Sequence, residues 1–219
     1  MIHIFGCSAS ERVKVTKCYG DFLSEMMQTT LNLQAAGCGS NRRISRVLSK
    51  MVHDGEITSD DIVIIQYTET TRNEFFTANK ETHPKINFTD NIQIREDYNT
   101  GQIIRYKANA GSWQPNKVES KFFKTYEKYF LDTNFEDESF ISLNYNLQCM
   151  LAYNKINAYF LIINGYTPST FNTIDYFKDR CINIPDPKQN NLFIDDGHFH
   201  EDGHKLVANI LLDKIKSTL

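Results

Sequence analysis

The chain has 219 residues, 41% of them hydrophobic, with a formal net charge of −3. That is enough apolar material for a full core in one domain, residues 1–219, and the near-neutral balance without a basic stripe gives no sign of a nucleic-acid or anionic-membrane partner. No apolar run approaches the ~20 residues of a membrane span, and Met1-Ile-His-Ile-Phe-Gly6 has neither the basic start nor the long apolar core of a signal peptide, so a cytoplasmic protein without a membrane partner is expected.

Five cysteines (Cys7, Cys18, Cys38, Cys149 and Cys181) are odd in number, scattered and never arranged C-x-x-C. This argues against a disulfide framework and against a thiolate zinc site. From the N-terminus, Ile2–Phe5 reads as a strand ending at Gly6-Cys7-Ser8. Tyr19, Phe22, Leu23, Met26 and Met27 then recur at helical spacing. Ser8 would stand at the C-terminal end of the first strand, where open α/β sheets place their chemistry. Ser8-Ala-Ser-Glu11 also fits a capping box, in which Ser8 only accepts a backbone N–H.

Thr29–Gln34 reads as a second strand, followed by the small-residue turn Ala35-Ala-Gly37-Cys-Gly39-Ser40-Asn41. Ser40 or Asn41 caps a helix carrying Ile44, Val47, Leu48, Met51 and Val52. Asp61-Ile-Val-Ile-Ile-Gln66 is almost entirely apolar and β-branched, as in a parallel strand buried on both faces, and it opens into the polar turn Tyr67-Thr68-Glu69-Thr-Thr-Arg72.

From Asn73 to about Val118 apolar clusters thin out, and the segment reads as a polar insertion lacking a core of its own. Within it, Ile92–Ile94 and Ile103-Ile104 flank Asn99-Thr-Gly101, a hairpin signature. Phe122, Phe123, Tyr126, Tyr129 and Phe130 suggest an aromatic helical stretch, and Leu143, Leu147, Met150, Leu151 and Asn154 a second helix. Ala158–Ile163 and Cys181–Ile184 read as the last two strands, and Leu206, Val207, Ile210, Leu211 and Ile215 as the terminal helix. Strands alternating with helices predict an α/β fold, a three-layer α/β/α sandwich around a mostly parallel five-stranded sheet.

Just before that helix, Asp195-Asp-Gly-His198-Phe-His200-Glu201-Asp-Gly-His204 crowds titratable groups into one loop. Such density marks a candidate site with two competing chemistries. Asp195 and His198 suit an acid-base pair that activates a nucleophile elsewhere in the chain. Alternatively, His200-Glu201-x-x-His204 has the H-E-x-x-H form of a zinc hydrolase. Against the second, Gly203 would sit inside the metal-binding helix, and only fifteen residues remain after His204 to supply a third ligand.

The ordered set resembles the SGNH, or GDSL-type, hydrolases: Gly6-Cys7-Ser8 after the first strand, Asn32-x4-Gly37 after the second, a polar turn after the third, and Asp195-x-x-His198 before the last helix. The Gly-Cys-Ser form resembles bacterial and phage members. The resemblance implies a flavodoxin-like fold, with Ser8 as nucleophile, His198 as general base and then acid, and Asp195 orienting His198. It also implies an oxyanion site made by the backbone N–H groups of Ser8 and Gly37, and it makes Gly203 and His204 helix-start residues.

The family's third motif supplies an asparagine as a further oxyanion donor. Here Gln66-Tyr-Thr68-Glu69 puts Thr68 in that place, with Asn41 and Arg72 as other candidates. The implied activity is hydrolysis of an ester through an acyl-enzyme, with no cofactor and no metal. A small-molecule or carbohydrate ester is the expected partner, and an O-acetylated carbohydrate is favoured by the polar insertion with Tyr98, Tyr106 and Trp113. Acyl transfer to a sugar hydroxyl and a non-catalytic use of the same fold remain as alternatives.

Overall fold

The structure, a computed structural model, describes residues 1–12, 14–35, 39–70, 72–76, 92–96, 102–107, 125, 132–185, 190–194 and 198–218; for 73–76, 92–96, 102–107 and 133 only the backbone is described. In chain order the strands are β1 (Ile2–Phe5), β2 (Leu31–Leu33), β3 (Ile62–Ile65), β4 (Arg72–Phe76), β5 (Ile92–Glu96), β6 (Gln102–Lys107), β7 (Asn157–Ile162) and β8 (Cys181–Asn183). The helices are α1 (Tyr19–Met26), α2 (Asn41–His53), α3 (Thr133–Tyr153) and α4 (Glu201–Thr218).

Five strands form one sheet in the order β2-β1-β3-β7-β8, and every pair in it is parallel. The predicted α/β sandwich is therefore the observed one, its sheet wholly rather than mostly parallel. The central strands are apolar on both faces because both are covered. Along β1, β3 and β7 alternate residues divide between two cores, as the two-residue pleat requires. Ile2, Ile4, Ile62, Ile64, Tyr159 and Leu161 pack with α1 and α4 on one side. Phe5, Val63, Ile65, Ala158 and Phe160 pack with α2 and α3 on the other. A one-residue slip of β3 would exchange its two faces, and with about 1.5–3 kcal/mol for each buried aliphatic side chain the register is strongly fixed.

The Ile92–Ile104 hairpin is present as β5 and β6, paired antiparallel with Glu96 opposite Gln102, and β4 adds a third strand on the far side of β6. Phe122, Phe123, Tyr126, Tyr129 and Phe130 of the expected aromatic stretch, and Tyr98 and Trp113, lie outside the described residues. The terminal helix is present as α4 and holds all five expected residues, with Leu206 exposed and His204 and Ala208 joining Val207, Leu211 and Ile215 in the core. Two local expectations are corrected. The helix expected around Leu143 starts ten residues earlier, at Thr133, where Asp132 caps it through bonds from the Asn134 and Phe135 N–H groups. Ser8–Ser10 is a single 3₁₀ turn without a side-chain cap, and the next helix begins only at Tyr19, so Ser8-Ala-Ser-Glu11 is not a capping box.

Candidate active site

Strand order 2-1-3 sends the chain to opposite sides of β1, and the crevice at the carboxyl ends of β1 and β3 is where such sheets bind ligands. The two strands stop level, with Phe5 beside Ile65 and the Gln66 N–H donating to the Phe5 carbonyl at 2.8 Å. Ser8 lies three residues beyond one end and Thr68 three beyond the other. Adjacent strands are about 4.8 Å apart, so the two turns leave the sheet side by side.

The Ser8 turn is held from below. Gln66, fully buried, accepts at Oε1 from the Cys7 N–H (3.2 Å), the Cys7 thiol (3.2 Å) and the Ser10 hydroxyl (3.1 Å). Its Nε2 donates to the Tyr67 carbonyl, and the Tyr19 hydroxyl lies 2.7 Å from Ser10 Oγ. The absence of a side chain at Gly6 makes this packing possible, because a Cβ there would stand 2.4 Å from Ser10 Oγ and 3.0 Å from Gln66 Oε1. Ser8 itself is half-buried, and among the described residues nothing hydrogen-bonds its hydroxyl. A link to His198 is accordingly not formed here, although catalytic hydrogen bonds of this kind often close only with substrate.

Thr68 is wholly buried and its backbone is clamped at both polar groups. Its N–H donates to Asn41 Oδ1 at 2.8 Å, and its carbonyl accepts from Asn41 Nδ2 at 2.7 Å. Asn41, the first residue of α2, thus serves the Thr68 turn and fastens it to the helix that Ser40 caps through the Arg43 N–H. The Thr68 hydroxyl has no partner among the described residues. A buried donor left so costs about 1–3 kcal/mol, which makes it a candidate to act on a bound group. Arg72 stands with Nε 3.6 Å from Glu69 and its guanidinium 5.9 Å from the Tyr166 ring centre. Gly37 lies outside the described residues; on the chain flanking it, the Arg43 guanidinium donates to the Gln34 carbonyl at 2.7 Å.

The loop before α4 folds back on itself. Phe193 and Phe199 form an isolated antiparallel bridge, the Ile194 N–H donates to the His198 carbonyl (2.7 Å), and the His200 N–H to the Leu192 carbonyl (3.1 Å). Residues 195–197, Asp195 among them, lie outside the described residues; His198, the next residue, is half-buried. The first turn of α4 ties this loop to the chain beyond Ser8, through a 2.9 Å bond from the Thr16 hydroxyl to Glu201 and a 3.2 Å bond from the Tyr19 N–H to His204 Nδ1.

These bonds tell against the zinc alternative. His200 precedes the helix, accepting the Gly203 N–H at Nδ1 (3.0 Å) with Nε2 on the Asn191 carbonyl, so both its nitrogens are occupied. His204 is buried and uses Nδ1 to satisfy the first N–H of α1. Among the described residues no three His, Cys, Asp or Glu side chains gather as a metal site.

Burial pushes the His204 imidazole down to about 4; Asp21 opposes this and the neighbouring His200 and His198 add to it. Burial also lowers His3, against the pull of Asp61. The unfolded imidazole titrates near 6.5, so between that pH and about 4 the unfolded chain binds protons that the folded one refuses. Stability is therefore full above pH 6.5 and falls as pH drops towards 4, by up to about 3 kcal/mol from His204. Urea unfolding of His204→Asn, whose amide oxygen can replace Nδ1 as acceptor, should show a markedly flatter loss between pH 6.5 and 4.5. An undiminished slope would assign the effect to other groups.

The sequence matches no protein-family model and no curated protein. The fold does have solved counterparts. The chain superposes on a psychrotrophic esterase, EstA from Pseudoalteromonas sp., solved with monoethylphosphonate as inhibitor, with TM-score 0.54 and 12% identity over 99% of this chain and 96% of that one. A protein from Desulfitobacterium hafniense DCB-2, described as lipolytic and of the G-D-S-L family, gives TM-score 0.49 and 9% identity over 97% and 98%. The first likeness establishes a shared α/β fold across the length of both chains. Among the described residues no helix is long and apolar enough to cross a membrane.

Proposed function

We propose that the chain is a serine esterase working through an acyl-enzyme. The observation that carries this reading is the meeting of turns at one sheet edge: the Cys7-Ser8 turn is bonded to the residue after β3, beside a buried Thr68 hydroxyl without a partner among the described residues, and the loop carrying His198 is tied through α4 to the chain just past Ser8. The esterase of similar fold, inhibited by a phosphonate, lends further support.

In this mechanism Ser8 Oγ attacks the ester carbonyl while His198, oriented by Asp195, takes the hydroxyl proton. The negative charge that develops on the carbonyl oxygen is met by the N–H groups of Ser8 and Gly37 and by the Thr68 hydroxyl. His198 returns the proton to the departing alkoxide, and water, activated by the same imidazole, releases the acyl group as a carboxylic acid. We favour an O-acetylated carbohydrate as substrate. Supporting it, a cavity of about 320 Å³ beyond the ends of β7 and β8 is lined by Asn164, Thr167, Ser169 and Asn183 together with Phe171, Pro168 and three isoleucines, none of them charged. Such walls suit a neutral polyhydroxylated group.

Intact-mass analysis after treatment with a fluorophosphonate tests the reading directly. A single adduct located at Ser8 is expected, and an unmodified protein would overturn the proposal. For the third oxyanion donor, Thr68→Val keeps the volume and removes the hydrogen bond. We expect kcat to fall by roughly 10–1000-fold with little change in KM, the mark of an interaction made in the transition state. If kcat for acetyl-ester hydrolysis is unchanged, Thr68 has no such role.

A further inference from the structure

Gln66 ends a strand of four buried aliphatic residues, an expensive place for a carboxamide unless its polar atoms have work to do. Its orientation is unambiguous. The Cys7 N–H can only donate, so the atom facing it is the oxygen, and the nitrogen faces the Tyr67 carbonyl. If Ser10 donates to that oxygen, Tyr19 must donate to Ser10, giving a directed chain from the Tyr19 O–H through the Ser10 O–H to Gln66 Oε1.

Cys7 is extended, with φ −101° and ψ −161°. In extended chain successive N–H groups point to opposite sides. An inward Cys7 N–H held on Gln66 therefore turns the next N–H, that of Ser8, away from the sheet. Through its other end the same side chain grips the residue before Thr68. We infer that Gln66 is a positioning residue for the nucleophile turn: it aims the Ser8 N–H outward and sets the spacing between the Ser8 and Thr68 turns, the two sides of the oxyanion site.

This inference rests on the serine-esterase reading. It differs from a general packing role because it requires one acceptor and one donor in a fixed arrangement. Neutral glutamic acid has that arrangement, with C=O in place of the amide oxygen and O–H in place of the amide N–H; glutamate does not, and methionine has neither. The titratable side chains on this network are Cys7 and Tyr19, and burial drives the Tyr19 phenol upward, away from neutral pH.

The test compares wild type, Gln66→Met and Gln66→Glu for acetyl-ester hydrolysis and for fluorophosphonate labelling. Gln66→Met should lose about 100-fold in kcat and in labelling rate with KM nearly unchanged, the scale of a misplacement of about 1 Å. Relative to wild type at each pH, which cancels the pH dependence that both enzymes share, Gln66→Glu should be at least about 10-fold more active at pH 6 than at pH 8, as its buried carboxyl gains a proton. A Gln66→Met enzyme with wild-type kcat and labelling overturns the inference while leaving the esterase reading standing. If Gln66→Met does not fold, a pH-independent ratio for Gln66→Glu overturns it instead. An unreactive wild type removes the esterase reading and this inference together.

Discussion

Ser8→Ala is expected to reduce hydrolysis of a small acetyl ester to background and to eliminate the fluorophosphonate adduct, and His198→Ala should do nearly the same. A nucleophile and its base act as one unit, so losing either costs about as much as losing both, on the order of 10⁴–10⁶ in kcat. The Ser8 hydroxyl has no hydrogen bond to lose among the described residues, so the unfolding free energy of Ser8→Ala should stay within about 0.5 kcal/mol of wild type. That pairing of silent stability with abolished turnover separates a nucleophile from a scaffold residue. A Ser8→Ala protein that keeps a tenth or more of its activity would sink the assignment.

The second large effect concerns Gly203, in the first turn of α4. On propensity alone, alanine in a helix is favoured over glycine by about 1 kcal/mol. Here a Cβ would stand 2.5 Å from the Leu192 carbonyl oxygen and 3.1 Å from the Phe199 ring, and the first of these neighbours is backbone that cannot rotate aside. Overpacking of this kind costs about 1–3 kcal/mol, enough to reverse the sign. Leu192 also accepts the His200 N–H that closes the loop carrying His198, so relief of the clash shifts the imidazole. Gly203→Ala should lower both the urea midpoint and kcat, the latter by about 100-fold. A stabilised variant with unchanged kcat would show that the contact yields easily.

Much of this could be read from the sequence where the signal is local. The β-branched run at Ile62–Ile65 can only be a strand buried on both sides, and Ser8 and Thr68 follow their strands closely enough to be placed at the sheet edge without coordinates. Less visible was everything that depends on pairing across the chain. Ser8-Ala-Ser-Glu11 has the spacing of a capping box, yet no helix follows it until Tyr19, because the segment bends to reach Gln66. Nothing in the sequence shows that the Asn41 amide holds the Thr68 backbone at both of its polar groups. A polar residue closing an apolar strand was the one clue to Gln66. His204 lies in the first turn of its helix, as the motif implies, but nothing apolar in its type signals that it is buried. Its burial makes sense only beside the Tyr19 N–H, 185 positions earlier in the chain.

That last bond also constrains when the molecule becomes competent. The chain leaves the ribosome from its N-terminus, so β1, β2, β3 and their helices can dock while the rest is still being made, and the polar network under Ser8 can close among them. The first N–H of α1 must wait for His204, and the bonds that tie the loop carrying His198 to the Thr16–Tyr19 stretch form only once α4 has packed against α1. Contacts of such long sequence separation form late and slowly. A nascent chain would therefore hold its Ser8 turn assembled before the loop carrying His198 is anchored beside it.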